Sequence, residues 1–266
     1  MNRILFEKDE IRDGVVTFGG VRAEHVLKVL HGEVGQILKT GEVDGKIGAG
    51  EIIELSNSRI IESGAEGDEA GMARTAGPYV TVRCRHEEES RRTWVDLILA
   101  PPRPRVMKRL LPQLAAMGVG RIFLVGAKKV ERDFWGATLL KEENYRPLLV
   151  DGLMQAGTSI LPTLETRRNF RKFVKEELGA LFPASTRIVA HPYGDGQDVR
   201  RETGGISPPR PLLAIGPEGG WTDDEVALLE EHGFARYSLG SRILRTDTAT
   251  IALLAQLMQV HDQEEP

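Results

Sequence analysis

The stretch LLAIGPEGGWTDDEVALL, Leu212 to Leu229, decides how the chain folds. Four apolar residues of strand length stop at Gly216. Pro217, Glu218, Gly219 and Gly220 then supply turn chemistry. Thr222 and Glu225 stand three apart, the spacing of a capping box, and Gly233 follows where a helix would end. This is a strand, a glycine-rich loop and a helix in succession, the unit from which parallel α/β sheets are built. The loop contains one carboxylate and no cation, so it is not a phosphate cradle.

The same alternation runs outward from this stretch. From Arg92 onward, TWVDLIL, RIFLVGA, TRIVAHP, PLLAIGP and ARYSLGS are apolar runs of strand length, with helical stretches between most of them. RVMKRLLPQLAAM places Val106, Leu110, Leu114 and Met117 on one face, with Gly118 as the stop. Alternating strand and helix predicts a largely parallel sheet covered on both faces, with ligands beyond the carboxyl ends of its strands. GPEGG lies at one such end and LGSRILRTDT at another. Residues 1–88 read differently. GVVTFGG, VGQILKTGE and KIGAGEIIEL are short, Gly-punctuated strands, and RAEHVLKVLHG is one short helix with Val26, Val29 and Leu30 facing inward. A small β-barrel-like module is expected here. Residues 63–78, SGAEGDEAGMARTAGP, read as a loop or disordered insertion.

Composition bounds the function. The 266 residues carry a net charge of −4, which argues against a protein that coats nucleic acid indiscriminately. Between Arg83 and Arg109, however, eight basic residues face four acidic ones, and Arg167, Arg168, Arg171 and Lys172 form a second cluster. Such runs serve either as solvated faces or as phosphate contacts. No secretory signal and no apolar run of spanning length is seen, so a cytoplasmic protein without membrane contact is expected. Cys84 is the single cysteine; it reads as a small strand residue. No metal-ligand spacing occurs, and no metal is expected. GEVDGKIGAG lacks P-loop spacing and the hydroxyl residue after Lys46. His191, in VAHPYG, reads as a loop residue after a strand rather than as a general base.

AIGPEGGWTDDEV followed by LGSRILRTDTATIALLA closely resembles the paired signature of the RsmE family. AEHVLKVLHGEVGQ looks like that family's N-terminal module, and PQLAAMGVGRI and MQAG fall where it has further motifs. The resemblance implies an S-adenosylmethionine-dependent enzyme that methylates N3 of a uridine in small-subunit (16S) ribosomal RNA. It also implies a C-terminal SPOUT-type domain over 89–266, knotted into a trefoil, behind a PUA-like RNA-binding barrel over 1–88. Departures occur at Gln113 and Ala116, at Met154 to Thr158, at His31, and at Asp247, where the family's acid is one methylene longer.

The resemblance assigns the cofactor to two strand-end loops, Ile215, Gly216, Pro217, Glu218, Gly219 and Gly220, and Leu239, Gly240, Ile243, Leu244 and Thr246, with Ala190 and His191 as further cofactor-binding candidates. S-adenosylmethionine has a sulfonium and no phosphate, which suits a loop without cations and with close backbone approach. Glu218 either adds negative potential or bonds its own loop, and Trp221 packs beneath it. The catalytic candidates are Arg245, Thr246 and Asp247. Arg245 would stabilise a uracil anion, with Thr246 orienting; Asp247 is either the base or a first-turn helix acid. Arg3, Lys28, Arg105, Arg109 and Arg242 are the RNA-binding candidates, Arg242 alternatively pairing with surface acids. The partners expected are small-subunit rRNA or the 30S subunit, and a second copy of the chain. The C-terminal helix carries Ile251, Leu254 and Met258 on one side and Leu253, Leu257 and Val260 on the next. That is too wide an apolar surface for one core face. Two other functions remain open at this point: a SPOUT enzyme acting on tRNA or a ribose 2′-hydroxyl, and a non-catalytic ribosome-assembly factor.

Overall fold

The structure, a computed structural model, describes residues 2–56, 77–193 and 210–261. The chain divides into two compact units, Met1–Arg91 with Met154–Ile160, and Arg92–Leu153 with Leu161–Pro266. The expected insertion at 63–78 lies, apart from Gly77 and Pro78, outside the described residues.

The first unit is built on a five-stranded sheet of β1 (Ile4–Phe6), β2 (Val15–Phe18), β3 (Ile37–Glu42), β4 (Ile47–Ser56) and β5 (Tyr79–Glu88), in the order β1-β3-β4-β5-β2. Only the β1–β3 pair is parallel. Its core gathers Ile4, Phe6, Val16, Phe18, Ala23, Val26, Leu38, Ile52, Val80 and Val82. β4 bends at a register shift between Ile47 and Gly48, where a β-carbon on Gly48 would lie 2.0 Å from the Arg85 carbonyl. Helix α1 (Gly20–Glu24) continues into a π-type turn over His25–Val29. The Leu30 amide bonds the His25 carbonyl five residues back, and this wider turn rotates the expected apolar face. Val26 is buried as expected, but Val29 is 61% exposed and Leu30 38%. The Met154–Ile160 segment is tied in by Ser159, whose hydroxyl donates to the Gly45 carbonyl at 2.6 Å.

In the second unit six strands run parallel in the order β11-β9-β10-β6-β7-β8. They are β6 (Val95–Leu99), β7 (Val119–Val125), β8 (Thr163–Arg167), β9 (Arg187–Ala190), β10 (Leu212–Ile215) and β11 (Phe234–Tyr237). β6 and β10 are buried at every position, so both sheet faces are covered. Helices α2 (Pro104–Ala116), α3 (Glu142–Ala156), α4 (the helical run 170–181), α5 (Asp223–Glu231) and α6 (Thr246–His261) supply the cover. α2 turns Met107, Leu110, Leu111, Leu114 and Ala115 inward; Val106 and Met117, expected on that face, are only half-buried. α3 passes close to α2, since a β-carbon on Gly152 would lie 2.0 Å from the Pro112 carbonyl. On α6, Leu253, Leu254, Leu257 and Val260 are buried within the chain, which corrects the expectation that Leu254 faces a partner. Ile251 and Met258 remain half-exposed.

The amino ends of the central strands are pinned by one buried acid. Asp96 accepts from the Arg121 amide at 2.9 Å and from Arg121 Nη2 at 2.7 Å, and pairs with Arg210 at 3.3 Å. The carboxyl ends are left open. The chain runs outward from β6 through β7 to β8, then returns on the other side of β6 through β9 and β10. The strand order therefore reverses between β6 and β10, where crevices form in such sheets.

Candidate active site

Three loops leave the carboxyl ends of adjacent strands and meet over one cleft of ≈ 250 Å³. After β9 come His191 to Tyr193. After β10 the chain turns at Pro217–Gly220, closed by the Gly220 amide on the Pro217 carbonyl at 2.8 Å. After β11, residues 238–245 lead into α6. Every residue expected to hold the cofactor, from Ala190 to Thr246, lines this cleft.

The glycine-rich loop is braced from below. Thr222 begins α5 in the expected capping box, its amide donating to Glu225 Oε2 at 2.9 Å and its hydroxyl at 3.0 Å. The other oxygen of this buried carboxylate accepts the Lys128 amide at 2.7 Å, which ties α5 to the loop after β7. Lys129 Nζ donates to the Gly219 carbonyl at 2.7 Å. Trp221 lies buried beneath the loop, its ring 5.1 Å from that of Phe170. Its Nε1, though buried, meets no acceptor among the described residues.

The glycines divide by task. A β-carbon on Gly216 would come within 3.1 Å of the Trp221 indole, and one on Gly219 within 3.0 Å of the Lys129 side chain. Gly216 therefore serves packing on the indole, whereas the neighbour of Gly219 is a flexible side-chain stem that can shift. Gly220 and Gly240 hold φ of +70° and +109° with open space where a β-carbon would stand, so backbone conformation selects them.

The electrostatics are sparse. Among the described residues, Glu218 is the one carboxylate and Arg242 the one guanidinium on the cleft wall. Glu218 does not bond its own loop among the described contacts; its partner is Arg103, at 3.9 Å. Apolar side chains, Ile215, Leu239, Leu244 and Leu253 among them, make up much of the rest. Such a wall fits a ligand recognised through ring faces and backbone groups rather than through phosphates. His191 is half-buried and its Nδ1 is engaged with the Tyr193 backbone, in line with a loop role.

The three catalytic candidates part company. Thr246 is buried and its hydroxyl donates to the Gly216 carbonyl at 3.2 Å, joining the β10 loop to the start of α6. Arg245 is exposed and does not line the cleft. Asp247 is also off the lining; it accepts the Thr248 amide at 2.9 Å and lies 3.9 Å from Arg109 on α2. Of the RNA-binding candidates, Arg242 lines the cleft, and Arg105 and Arg109 are exposed on α2. Lys28 pairs with Glu24 at 2.9 Å. Arg3 spends its guanidinium on the carbonyls of Thr40, Gly48 and Gly157, at 2.7, 2.9 and 3.0 Å, and so holds the first unit together. Sequence reasoning missed Tyr237, Ala249 and Leu253 on the cleft wall. The helical period from Thr246 points to the last two, and Tyr237 ends its strand as Ala190 does.

Among the described residues no group of three or more His, Cys, Asp or Glu is placed to hold a metal. No helix there is long and apolar enough to cross a membrane.

The RNA methyltransferase domain family matches residues 88–258. The ribosomal RNA small subunit methyltransferase E of Treponema pallidum (strain Nichols) is 28% identical over 263 residues, 97% of this chain and 91% of that protein. A ribosomal RNA small subunit methyltransferase E 1 of Borreliella burgdorferi (strain ATCC 35210 / DSM 4680 / CIP 102532 / B31) is 26% identical over 150 residues, 56% of this chain and 60% of that one. Among solved structures, a methyltransferase from Legionella pneumophila with bound SAM superposes with a TM-score of 0.70 at 24% identity, covering 97% of each chain. The ribosomal RNA small subunit methyltransferase E of Neisseria gonorrhoeae, bound to S-adenosyl methionine, gives 0.65 at 20% identity, again over 97% of each. The parallel-sheet unit thus has the fold of the SPOUT-type RNA methyltransferases, and the chain belongs to the RNA methyltransferase domain family, in its RsmE branch.

Proposed function

We propose that this protein methylates N3 of a uridine in small-subunit ribosomal RNA, with S-adenosylmethionine as donor. The observation that carries the reading is the convergence of the β9, β10 and β11 loops on one cleft poor in cations, in a chain of the RsmE branch. The orphan Trp221 Nε1–H and the open space at Gly220 and Gly240 suit a ligand rich in acceptors and pressed against backbone. When bound there, S-adenosylmethionine supplies a methyl group activated by the sulfonium.

The chain must do the rest. Uracil N3–H is an imide, and its lone pair becomes a nucleophile only when the proton leaves. Asp247, at the first turn of α6 beside Arg109, is the group assigned to accept that proton, directly or through water. Arg242 on the cleft wall, with Arg245 three residues on, offsets the negative charge that spreads to O2 and O4. Thr246 fixes the start of α6 against the Gly216 carbonyl and so sets where these groups stand.

The same reading takes the first unit as a PUA-like RNA-binding barrel, and the chain end as the family's trefoil knot. Homodimerisation is supported by apolar side chains left uncovered near the cleft: Ile243 is 77% exposed, and Ile251 and Met258 are half-exposed on α6. A ribosomal substrate supports a cytoplasmic location. The test is to incubate undermethylated 30S subunits with labelled S-adenosylmethionine, then identify the digested nucleosides by mass spectrometry. Labelled 3-methyluridine is expected; label in another nucleoside, or none, overturns the reading.

A further inference from the structure

A second cleft, of ≈ 310 Å³, opens on the other side of the glycine-rich loop. Pro217, Glu218 and Gly219 are common to both clefts. Its other walls come from the loops after β6 and after β7: Pro101, Pro102 and Arg103, and Lys129, Glu131 and Phe134. It thus lies where the strand order reverses between β6 and β10, a position at which α/β sheets bind ligands.

Its chemistry is unlike that of the first cleft. The two cations inside are balanced by two carboxylates. Arg103 donates to Glu131 at 2.9 Å and lies 3.9 Å from Glu218, while Lys129 is engaged by the Gly219 carbonyl. A phosphate would have to displace these carboxylates. Phe134 and the two prolines supply an apolar floor, all buried. An apolar floor beneath a rim with both donors and acceptors suits a neutral, flat heterocycle with N–H and C=O edges. Beside it stand two exposed cations, Arg132, which follows Glu131 in the chain, and Arg168, whose guanidinium donates to the Trp135 carbonyl at 3.2 Å. Arg168 also stacks 5.7 Å from the half-buried Trp135 ring.

We infer that this second cleft is a nucleobase subsite for the RNA substrate, receiving an unstacked base that flanks the methyl acceptor, with the strand's phosphates on the cations outside. The inference rests on the proposed RNA substrate and adds the surface that reads its sequence context. Because the two clefts share one wall, a base seated in the second presses on the loop that shapes the first.

The test separates this site from cofactor binding and from activity. The full chain, as wild type and as Arg103→Gln and Glu131→Gln, is titrated into a fluorescently labelled fragment of small-subunit rRNA at fixed salt. The fragment is used intact and with single abasic replacements on either side of each uridine. One abasic position should weaken wild-type binding about tenfold, the scale of a lost hydrogen-bonded base. Each variant should bind the intact RNA about tenfold more weakly, yet lose no more at that abasic position. Calorimetric affinity for S-adenosylmethionine should stay within about twofold in Glu131→Gln. Additive losses, or variants that bind intact RNA as wild type does, overturn the subsite. RNA affinity retained with cofactor affinity lost would make the cleft a brace for the loop alone. These binding outcomes stand whether or not 3-methyluridine is found, so the two readings fail separately.

Discussion

Replacing Glu225 should damage both stability and cofactor binding, although the residue touches no ligand. Its carboxylate is 5% exposed and accepts three bonds, from the Thr222 amide and hydroxyl and from the Lys128 amide. Glu225→Ala removes a helix cap, worth about 1 kcal/mol. It also removes a charge-assisted bond to the Lys128 amide, worth about 1.5–3 kcal/mol, and leaves that amide without an acceptor. A loss of about 3–4 kcal/mol is expected. Urea unfolding followed by far-UV dichroism would measure it, with the slope unchanged and the midpoint lowered. Glu225→Gln keeps one carbonyl oxygen and should lose about half as much. Because the same carboxylate holds the start of α5 behind the Pro217–Gly220 turn, S-adenosylmethionine affinity in the folded Ala variant should fall about tenfold by calorimetry. A destabilisation below about 1 kcal/mol with unchanged affinity would refute the account of Glu225 as the pin of this loop.

Other perturbations reach different parts of the molecule. Gly220→Val forces a β-branched residue to φ +70° and points its side chain into open space, so cofactor affinity should drop while the protein stays folded; an unchanged affinity would take the loop out of the site. Asp247→Asn should cut turnover by about 10² to 10⁴ if the carboxylate takes the N3 proton, whereas near-normal turnover assigns it to the helix start and Arg109. Asp96→Ala strands Arg121 and Arg210 at the far end of the sheet and should cost about 3–5 kcal/mol in the same urea assay; a cost under about 1 kcal/mol would show that water replaces the acid freely. Burial holds the His86 ring below its usual value, with Glu42 partly opposing, while its Nε2 lies 2.9 Å from the Thr40 hydroxyl. The unfolded chain therefore binds the proton first, and the first unit should lose stability as pH falls through about 6.5 and below. His86→Gln should flatten that slope; an equally steep slope in the variant would exclude this histidine as its source.

The sequence by itself determined the elements whose residues carry strong local signals. LLAI, GPEGG and the Thr222–Glu225 pair mark a strand end, a turn and a helix start within eleven residues of each other, and all three stand as read. The strand-end loops were legible for the same reason, since a parallel sheet puts its ligand loops after its strands. β8 escaped notice because it is an edge strand, TLETR, without a fully buried side chain to give it a pattern. α3 escaped because Pro147 and Gly152 interrupt its sequence, although Gly152 is what lets it approach α2. Tertiary structure alone decided what each charge does. Arg3 and Arg242 look alike in the sequence, yet one bonds three backbone carbonyls and the other lines the cleft. Leu254 and Met258 share a helix stripe, yet only the first is covered within the chain. Periodicity reports which side of an element is apolar. What lies against that side depends on strand order and helix crossing, and these are set by contacts between residues a hundred positions apart, such as Glu225 with Lys128 and Arg103 with Glu218.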